Sequence, residues 1–344
     1  MIKFVEEKNN NLTYSSIPVF DIPWVEKYRP NNLSEVVGNP QIIESLKNIS
    51  ENGNIPNLIL SGPPGTGKTT SIMALAHELL GENFRKATIE LNASDDRGIS
   101  VVREKIKNFA IQKIPLPVGR HKIIILDEAD NMTSAAQSSM RVIISDYSRT
   151  TRFVLACNDS SKIIEPIQSR CSLLRFSKLK NEEIKTRLKK IIDIEKIEFD
   201  EDGLNALIDT CGGDMRYAIN NLQSTFVGYK KITKENVYKI VDIPKPEIIK
   251  KCIDFCCQGQ FENALQIIDE LLNDGYNFIE ILQVINKQIQ DKNMDDRNKF
   301  EILKIISVFK MRCLEGINSK IQVYSFISQI LKYLEDDNNK MVLN

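Results

Sequence analysis

The sequence predicts an α/β fold, a parallel sheet wrapped by helices, followed by two stretches that are helical throughout. Three observations carry this. Between about residues 55 and 176, short apolar runs alternate with helix-like segments, the pattern of strands buried on both faces. From about 179 to 243, apolar residues recur at helical spacing. The stretch Asp242-Ile243-Pro244-Lys245-Pro246 then reads as a hinge, because two prolines one residue apart do not sit inside a helix. Beyond it the helical pattern resumes.

Taken in order, residues 1–20 read as a loose polar extension, with Asn9, Asn10 and Asn11 ahead of Tyr14-Ser15-Ser16, and structure is expected from near Asp21. The strand-like runs are Asn57–Leu60, Thr88–Leu91, His121–Leu126, Arg152–Cys157 and Ser172–Phe176. Glu182 to Ile194 carries a helical stripe at Ile184, Leu188, Ile191 and Ile192. Leu204, Leu207 and Ile208 mark a second helix, and Ala218, Ile219 and Leu222 a third. In the last segment Phe261, Leu265, Ile268 and Leu272 share one helix face, as do Tyr324, Ile327, Leu331 and Leu334. No internal repeat is present.

Composition narrows the function classes. The chain has 344 residues, 42% hydrophobic and 27% charged, which fits a folded protein of two or three domains. No run of about 18 apolar residues exists to span a membrane. The first twenty residues have no apolar signal core, so secretion is not expected. Seven cysteines with no CxxC spacing read as reduced thiols. The helically spaced Cys252, Cys256 and Cys257 have no other ligand cluster near them. Two histidines, His77 and His121, leave little for a histidine metal site or triad. Lys plus Arg and Asp plus Glu are both 46, so any basic surface for nucleic acid must be local.

The chemistry is concentrated in the α/β segment. Gly62-Pro63-Pro64-Gly65-Thr66-Gly67-Lys68-Thr69 matches GxxxxGK[ST] at every fixed position, follows an apolar strand and opens a helix that continues from Thr70. The glycines let successive backbone N–H groups face phosphate oxygens, and the helix N-terminus adds partial positive charge. Lys68 is expected to reach the β- and γ-phosphates of ATP, and the Thr69 hydroxyl to ligate Mg²⁺. The apolar strand Ile123–Leu126 ends in Asp127 and Glu128. Asp127 suits a Mg²⁺ ligand and Glu128 an activator of water, which points to hydrolysis rather than binding alone. Asn158, after the next strand, reads either as a γ-phosphate contact or as an ordinary turn residue. Arg170 in Ser169-Arg170-Cys171 and Arg216 in Gly213-Asp214-Met215-Arg216 read, taken singly, as surface arginines or as phosphate contacts.

Together these residues resemble the AAA+ ATPases, and specifically the small subunits of replication factor C, the eukaryotic sliding-clamp loader. The resemblance runs from about Pro23 to the C-terminus. Trp24-Val25-Glu26-Lys27-Tyr28-Arg29-Pro30 resembles the family's opening box, and Glu90 through Ile99, with Asn92-Ala93-Ser94-Asp95-Asp96-Arg97-Gly98 within it, is similar to a box of clamp-loader subunits. Ser169-Arg170-Cys171 matches its SRC motif, and Asp214 through Arg216 with Asn220 to Gln223 its second-sensor helix.

The resemblance implies a P-loop nucleotide-binding domain over 21–178, a helical lid over 179–243 and a helical collar over 244–344 that holds an oligomer together. It places Val25, Arg29 and Val37 beside adenine, makes Asn158 the first sensor and Arg216 the second, and makes Arg170 an arginine finger for the neighbouring subunit's ATP. It implies a nuclear hetero-pentamer with other replication factor C subunits that loads the clamp PCNA onto primer–template DNA. The DNA contacts would go to the phosphate backbone, through Arg97, Arg103, Lys107 and Arg141. On a helix Arg103 and Lys107 are one turn apart, with Val102, Ile106 and Phe109 on the packed side. Residues from Phe109 to Pro117 are a weaker candidate for touching the clamp. Two departures stand out: Val142 takes the place of a second arginine after Arg141, and Ser145 that of an acidic residue.

Other readings are weaker. Asp127-Glu128-Ala129-Asp130 spells the DEAD of RNA helicases, but no Ser-Ala-Thr motif or second motor domain follows. A Holliday-junction motor lacks the box at Asn92–Gly98. The intact set of Lys68, Asp127, Glu128 and Arg170 argues against a structural subunit that holds ATP without cutting it.

Overall fold

In this computed structural model, residues 22–93, 99–117, 119–292 and 294–342 are described, without the side chains of 99–103 and 335–342. The chain divides into two compact units, Met1–Lys196 with Cys211–Gln223, and Ile197–Thr210 with Ser224–Asn344.

The first unit opens with α1 (Trp24–Lys27), α2 (Pro40–Asn52), β1 (Leu58–Ser61) and α3 (Lys68–Leu80). Then follow α4 (Phe84–Ala87), β2 (Thr88–Asn92), α5 (Ile99–Ile111), β3 (Lys122–Asp127) and α6 (Ser134–Asp146). β4 (Thr151–Cys157), α7 (Glu165–Gln168), β5 (Ser172–Arg175) and α8 (Asn181–Glu195) complete this stretch. The five strands form one parallel sheet in the order β2-β3-β4-β1-β5. The apolar runs are explained by the two cores they feed. Leu58, Leu60, Ile123, Ile125 and Val154 face α2 and α3, among Leu46, Ile72 and Leu75. Ile59, Ile124, Leu126, Phe153 and Leu155 face the opposite layer, among Ile106, Met140, Ile143 and Ile144. Alternate residues of one strand thus supply two cores, which makes β3 from Ile123 to Leu126 and β4 from Phe153 to Cys157 apolar throughout.

The strand order decides where the chemistry lies. β3, β4 and β1 are adjacent, so the loops leaving their carboxyl ends lie side by side. The chain reverses its direction of travel across the sheet near β1, where open parallel sheets bind ligands.

The remaining elements are β6 (Glu198–Phe199), α9 (Glu201–Cys211), α10 (Met215–Tyr229), β7 (Lys231–Ile232), α11 (Lys234–Val241), α12 (Pro246–Cys257), α13 (Phe261–Asn273), α14 (Phe278–Asp291), α15 (Asp296–Leu314) and α16 (Lys320–Val342). Asp242 ends α11 in a left-handed conformation and Pro246 opens α12 at its first helical position, where a missing N–H costs nothing. The five last helices share one core. Its centre is Phe326, whose ring meets Phe278 and Phe309 edge-on at 5.7 and 5.4 Å.

Of the two stripes read from the sequence, Ile268, Ile327 and Leu331 are buried in that core and Leu272, Tyr324 and Leu334 pack against it. In α13 the buried residues are Ala264, Ile268 and Leu271, and Phe261 is 39% exposed. In α16 they include Val323, Phe326, Ile327, Ile330 and Leu331, while Tyr324 is half-buried and donates to Asp269. Spacing alone cannot choose between two adjacent stripes of one helix; the packing partners do. The phosphate-loop helix also begins at Lys68 rather than Thr70.

Candidate functional site: a phosphate cradle at the ends of three strands

The phosphate loop leaves β1 at Ser61 and turns back into α3. Gly62, Gly65 and Gly67 have φ of 156°, 66° and 90°. The two tightest approaches explain why side chains are absent. A Cβ on Gly62 would lie 2.3 Å from the Phe176 carbonyl oxygen, and one on Gly65 would lie 1.7 Å from Asp214 Oδ1. The loop is fastened from within. Thr66 Oγ1 donates to the Pro63 carbonyl at 2.9 Å and Ser71 Oγ to the Gly67 carbonyl at 2.8 Å.

Lys68 stands at the first turn of α3. Its Nζ donates to the carbonyl oxygens of Gly62 (2.6 Å) and Pro63 (2.9 Å) and to Asn158 Oδ1 (3.2 Å). Burial pushes its ammonium pKa below the usual lysine value, and the Asp127 carboxylate works against that shift. A partly desolvated cation is held at the mouth of a ring of amides, where a phosphate would find it.

Asp127 closes β3 between two donors. Thr69 Oγ1 donates to its Oδ2 at 3.0 Å, and the Glu128 backbone N–H donates to its Oδ1 at 2.9 Å. Glu128 sits at φ 52°, a left-handed conformation that costs a non-glycine residue energy. Its Oε2 accepts from Asn131 Nδ2 at 3.3 Å. Asp130, one turn on, accepts from the Asn158 N–H at 3.3 Å and so ties the β3 loop to the β4 loop.

A single pocket joins these groups. Its walls contain Pro64 to Thr70, Asp127, Glu128, Asn158 and Arg216, together with Val25, Arg29 and Val37. Gly62 and Pro63 lie just behind it and present their carbonyls to Lys68. Arg216 comes from the first turn of α10. That turn is anchored to the phosphate loop by the Met215 N–H, which donates to the Gly65 carbonyl at 3.1 Å. Asp214 caps the same helix through the Tyr217 N–H.

Not every expected residue is in the pocket. Arg170 is exposed on the turn between α7 and β5, and its Nη1 donates to the Pro166 carbonyl at 2.6 Å. Lys107 and Arg141 are exposed on α5 and α6, which pack side by side. Arg97 lies outside the described residues, as does the side chain of Arg103. Ile106 is buried and Phe109 half-buried beneath Lys107. Val142 is 47% exposed beside Arg141.

Other residues in the pocket wall escaped the sequence reading: Tyr28, Glu35, Leu179, Arg187 and Met215. Arg187 had a signal of sorts, since it interrupts the lysines of α8 with a residue suited to partly buried hydrogen bonding. Tyr28 and Met215 lie inside the family boxes without having been singled out, while Glu35 and Leu179 carry no motif, and only folding brings them to one place.

The donor set suits a hard divalent cation: a hydroxyl and a carboxylate oxygen at Thr69 and Asp127, beside a phosphate cradle. Among the described residues no group of three or more His, Cys, Asp or Glu converges as a metal site. All seven cysteines are free thiols. Burial raises Cys157 and Cys171 to about 11. No helix among the described residues is long and apolar enough to cross a membrane.

Comparison with known proteins agrees with this architecture. The model of the ATPase family associated with various cellular activities (AAA) matches residues 58–179, and that of the replication factor C C-terminal domain matches residues 244–329. The probable replication factor C subunit 2 of Dictyostelium discoideum is 50% identical over 90% of this chain and 92% of its own length. Replication factor C subunit 4 of Saccharomyces cerevisiae is 48% identical, covering 90% and 96%. The replication factor C small subunit of the archaeon Staphylothermus marinus is 42% identical, covering 91% and 95%. Among solved structures, the Thermotoga maritima RuvB Holliday junction branch migration motor superposes with a TM-score of 0.52 over 66% of this chain and 80% of that one, at 19% identity. That likeness speaks for the fold alone. With half its residues shared along nearly the full length of a relative, and both family models in their proper order, the chain belongs to the replication factor C small-subunit family of AAA ATPases.

Proposed function

We propose that this chain is an ATP-hydrolysing small subunit of a nuclear, hetero-pentameric clamp loader that opens PCNA and places it on primer–template DNA. The observation that supports this best is the division of the chemistry. Lys68, Asp127, Glu128 and Asn158 share one pocket at adjacent strand ends, while Arg170 stands exposed outside it.

In this reading the loop amides and Lys68 bind the β- and γ-phosphates. Thr69 and Asp127 hold Mg²⁺, which when bound supplies positive charge to the phosphate oxygens. Glu128 accepts a proton from the attacking water. Asn158 orients that water against the terminal phosphate, and Arg216 reports the phosphate state to α10. Val25, Arg29 and Val37 face adenine. Arg170 completes the neighbouring subunit's site, and such fingers are worth roughly 10³–10⁵ in rate. Exposure outside its own pocket is what that task requires. The division into a nucleotide-binding domain over 21–178, a lid over 179–243 and a collar over 244–344 belongs to the same reading. Arg97, Arg103, Lys107 and Arg141 would track DNA phosphates, which suits a machine that acts without sequence preference.

The test is reconstitution with the other subunits of the complex. Glu128→Gln should keep ATP binding and lose this subunit's hydrolysis, and Arg170→Ala should keep its own ATP binding while slowing the complex. If neither variant lowers DNA-stimulated ATPase activity, the proposal is wrong.

A further inference from the structure

We infer that Arg187 and Glu195, both on α8, are positioning residues that fix the base-side wall of the nucleotide pocket and thereby set this chain's grip on adenine. The inference rests on the reading of this pocket as an ATP site.

The wall is the segment Trp24–Arg29, which gives Val25, Tyr28 and Arg29 to the pocket. Apart from the buried Trp24 ring, it has little of its own to hold it. α1 is four residues long and has no side-chain cap, and so short a helix does not stand alone in water. Its fixed position comes from elsewhere. Arg187 Nη2 donates to the Tyr28 carbonyl at 2.5 Å. At the far end of the same residue, the Tyr28 hydroxyl donates to Glu195 Oε1. Lys27 Nζ reaches that same oxygen at 2.6 Å. A further bond runs from the Trp24 N–H to Gln223 Oε1 on α10, at 3.0 Å.

Arg187 and Glu195 are eight residues apart, about 12 Å along the helix axis. They therefore hold Tyr28 at its backbone and at its ring tip, which fixes both its place and its tilt. Arg187 also lines the pocket, where burial depresses its guanidinium pKa and the Glu35 carboxylate opposes that shift. A partly desolvated guanidinium bonded to a main-chain oxygen is a firm support, because releasing it would leave a half-buried donor without an acceptor. The phosphate loop shares none of these ties; it is held by Thr66, Ser71 and Met215. The two parts of the pocket wall are thus built by separate contacts, and loss of one set should leave the other working.

That separation makes the test. Binding of Mg·ATP and of Mg·tripolyphosphate, which has the phosphates and no base, is measured by calorimetry on the full chain. Arg187→Ala and Glu195→Ala should each weaken Mg·ATP about 10-fold or more and leave Mg·tripolyphosphate within about 2-fold. Arg187→Lys, which keeps one donor for the Tyr28 carbonyl, should recover most of the loss. Glu195→Ala, at the more accessible end of the tie, keeps the test alive if Arg187→Ala folds poorly. Unchanged ATP affinity in both alanine variants overturns the inference. So does a parallel loss of tripolyphosphate, which would mark a merely structural role. Lys68→Ala serves as the control for the underlying reading: it should lose both ligands, and if the parent protein binds neither, the ATP reading itself has failed.

Discussion

At the scale of single residues, the candidate site is organised by three acids within four positions, each with a different partner. Asp127 is held by Thr69 and by the Glu128 N–H, Glu128 by Asn131, and Asp130 by the Asn158 N–H. The sequence shows a run of acids; the bonds assign each a direction. Glu128→Gln keeps size and hydrogen-bonding capacity but cannot take a proton. The expected outcome is a loss of roughly 10²-fold or more in this subunit's turnover, with ATP affinity changed far less, read by single-turnover hydrolysis against equilibrium binding. Gly65→Ala tests the loop geometry. Its Cβ would meet Asp214 Oδ1, and its φ of 66° disfavours alanine. It should lower stability by about 1–3 kcal/mol, seen as a lower Tm, and weaken nucleotide binding as well. Lys68, Thr69, Asp127 and Glu128 were legible from their motif because backbone curvature and local order suffice to define them. Arg187 was not, because its one local mark, an arginine among the lysines of α8, does not say whether that helix face is solvated or carries a strut.

Elements are tied to one another by a few buried or half-buried side chains. Lys122, 4% exposed at the start of β3, sends its Nζ to the carbonyls of Phe109, Ala110 and Gln112 at 3.0, 2.5 and 2.8 Å. It caps the C-terminal end of α5, where unpaired carbonyls need a donor. Lys122→Met leaves those oxygens short of a partner and should cost about 1–3 kcal/mol, read in a denaturation midpoint. Glu195 ties α8 to the segment before it, and the sign of its pH effect follows from its partners. The Lys27 and Tyr28 hydrogen bonds hold its carboxyl below the ordinary glutamate range, while Lys27 is held above its own. Stability from this tie is therefore complete at neutral pH and lost as pH falls through the folded-state pKa of Glu195. The gap in Tm between the protein and Glu195→Gln should close as the pH drops below the ordinary carboxylate range, and hold constant above it until the alkaline range, where the Lys27 ammonium and the Tyr28 hydroxyl lose their protons.

For the whole molecule, the role proposed for the exposed Arg170 would separate binding from turnover. The isolated chain should bind ATP and hydrolyse it slowly, since Arg170 is outside its own pocket. Addition of the neighbouring subunits should restore turnover, and Arg170→Ala should block that gain at the adjoining site. Brisk hydrolysis by a proven monomer would contradict this. The helical core of the second unit is a matter of packing rather than chemistry. Phe326→Ala, at the centre of three edge-on rings, should cost about 3–5 kcal/mol, measured by chemical denaturation.

The sequence by itself determined the parallel sheet, the phosphate loop, the acids at the strand end and the family. Each of these is written in local order: period-two burial on both faces, glycines at fixed spacing, and boxes of adjacent residues. Only the tertiary structure decided that β3, β4 and β1 are neighbours, which stripe of α13 and α16 is buried, and that Arg187 and Glu195 hold Tyr28 from 159 and 167 residues away. The physical reason is that strand order and helix rotation depend on which surfaces meet. A chain carries its spacing in its sequence, but it acquires its partners only by folding.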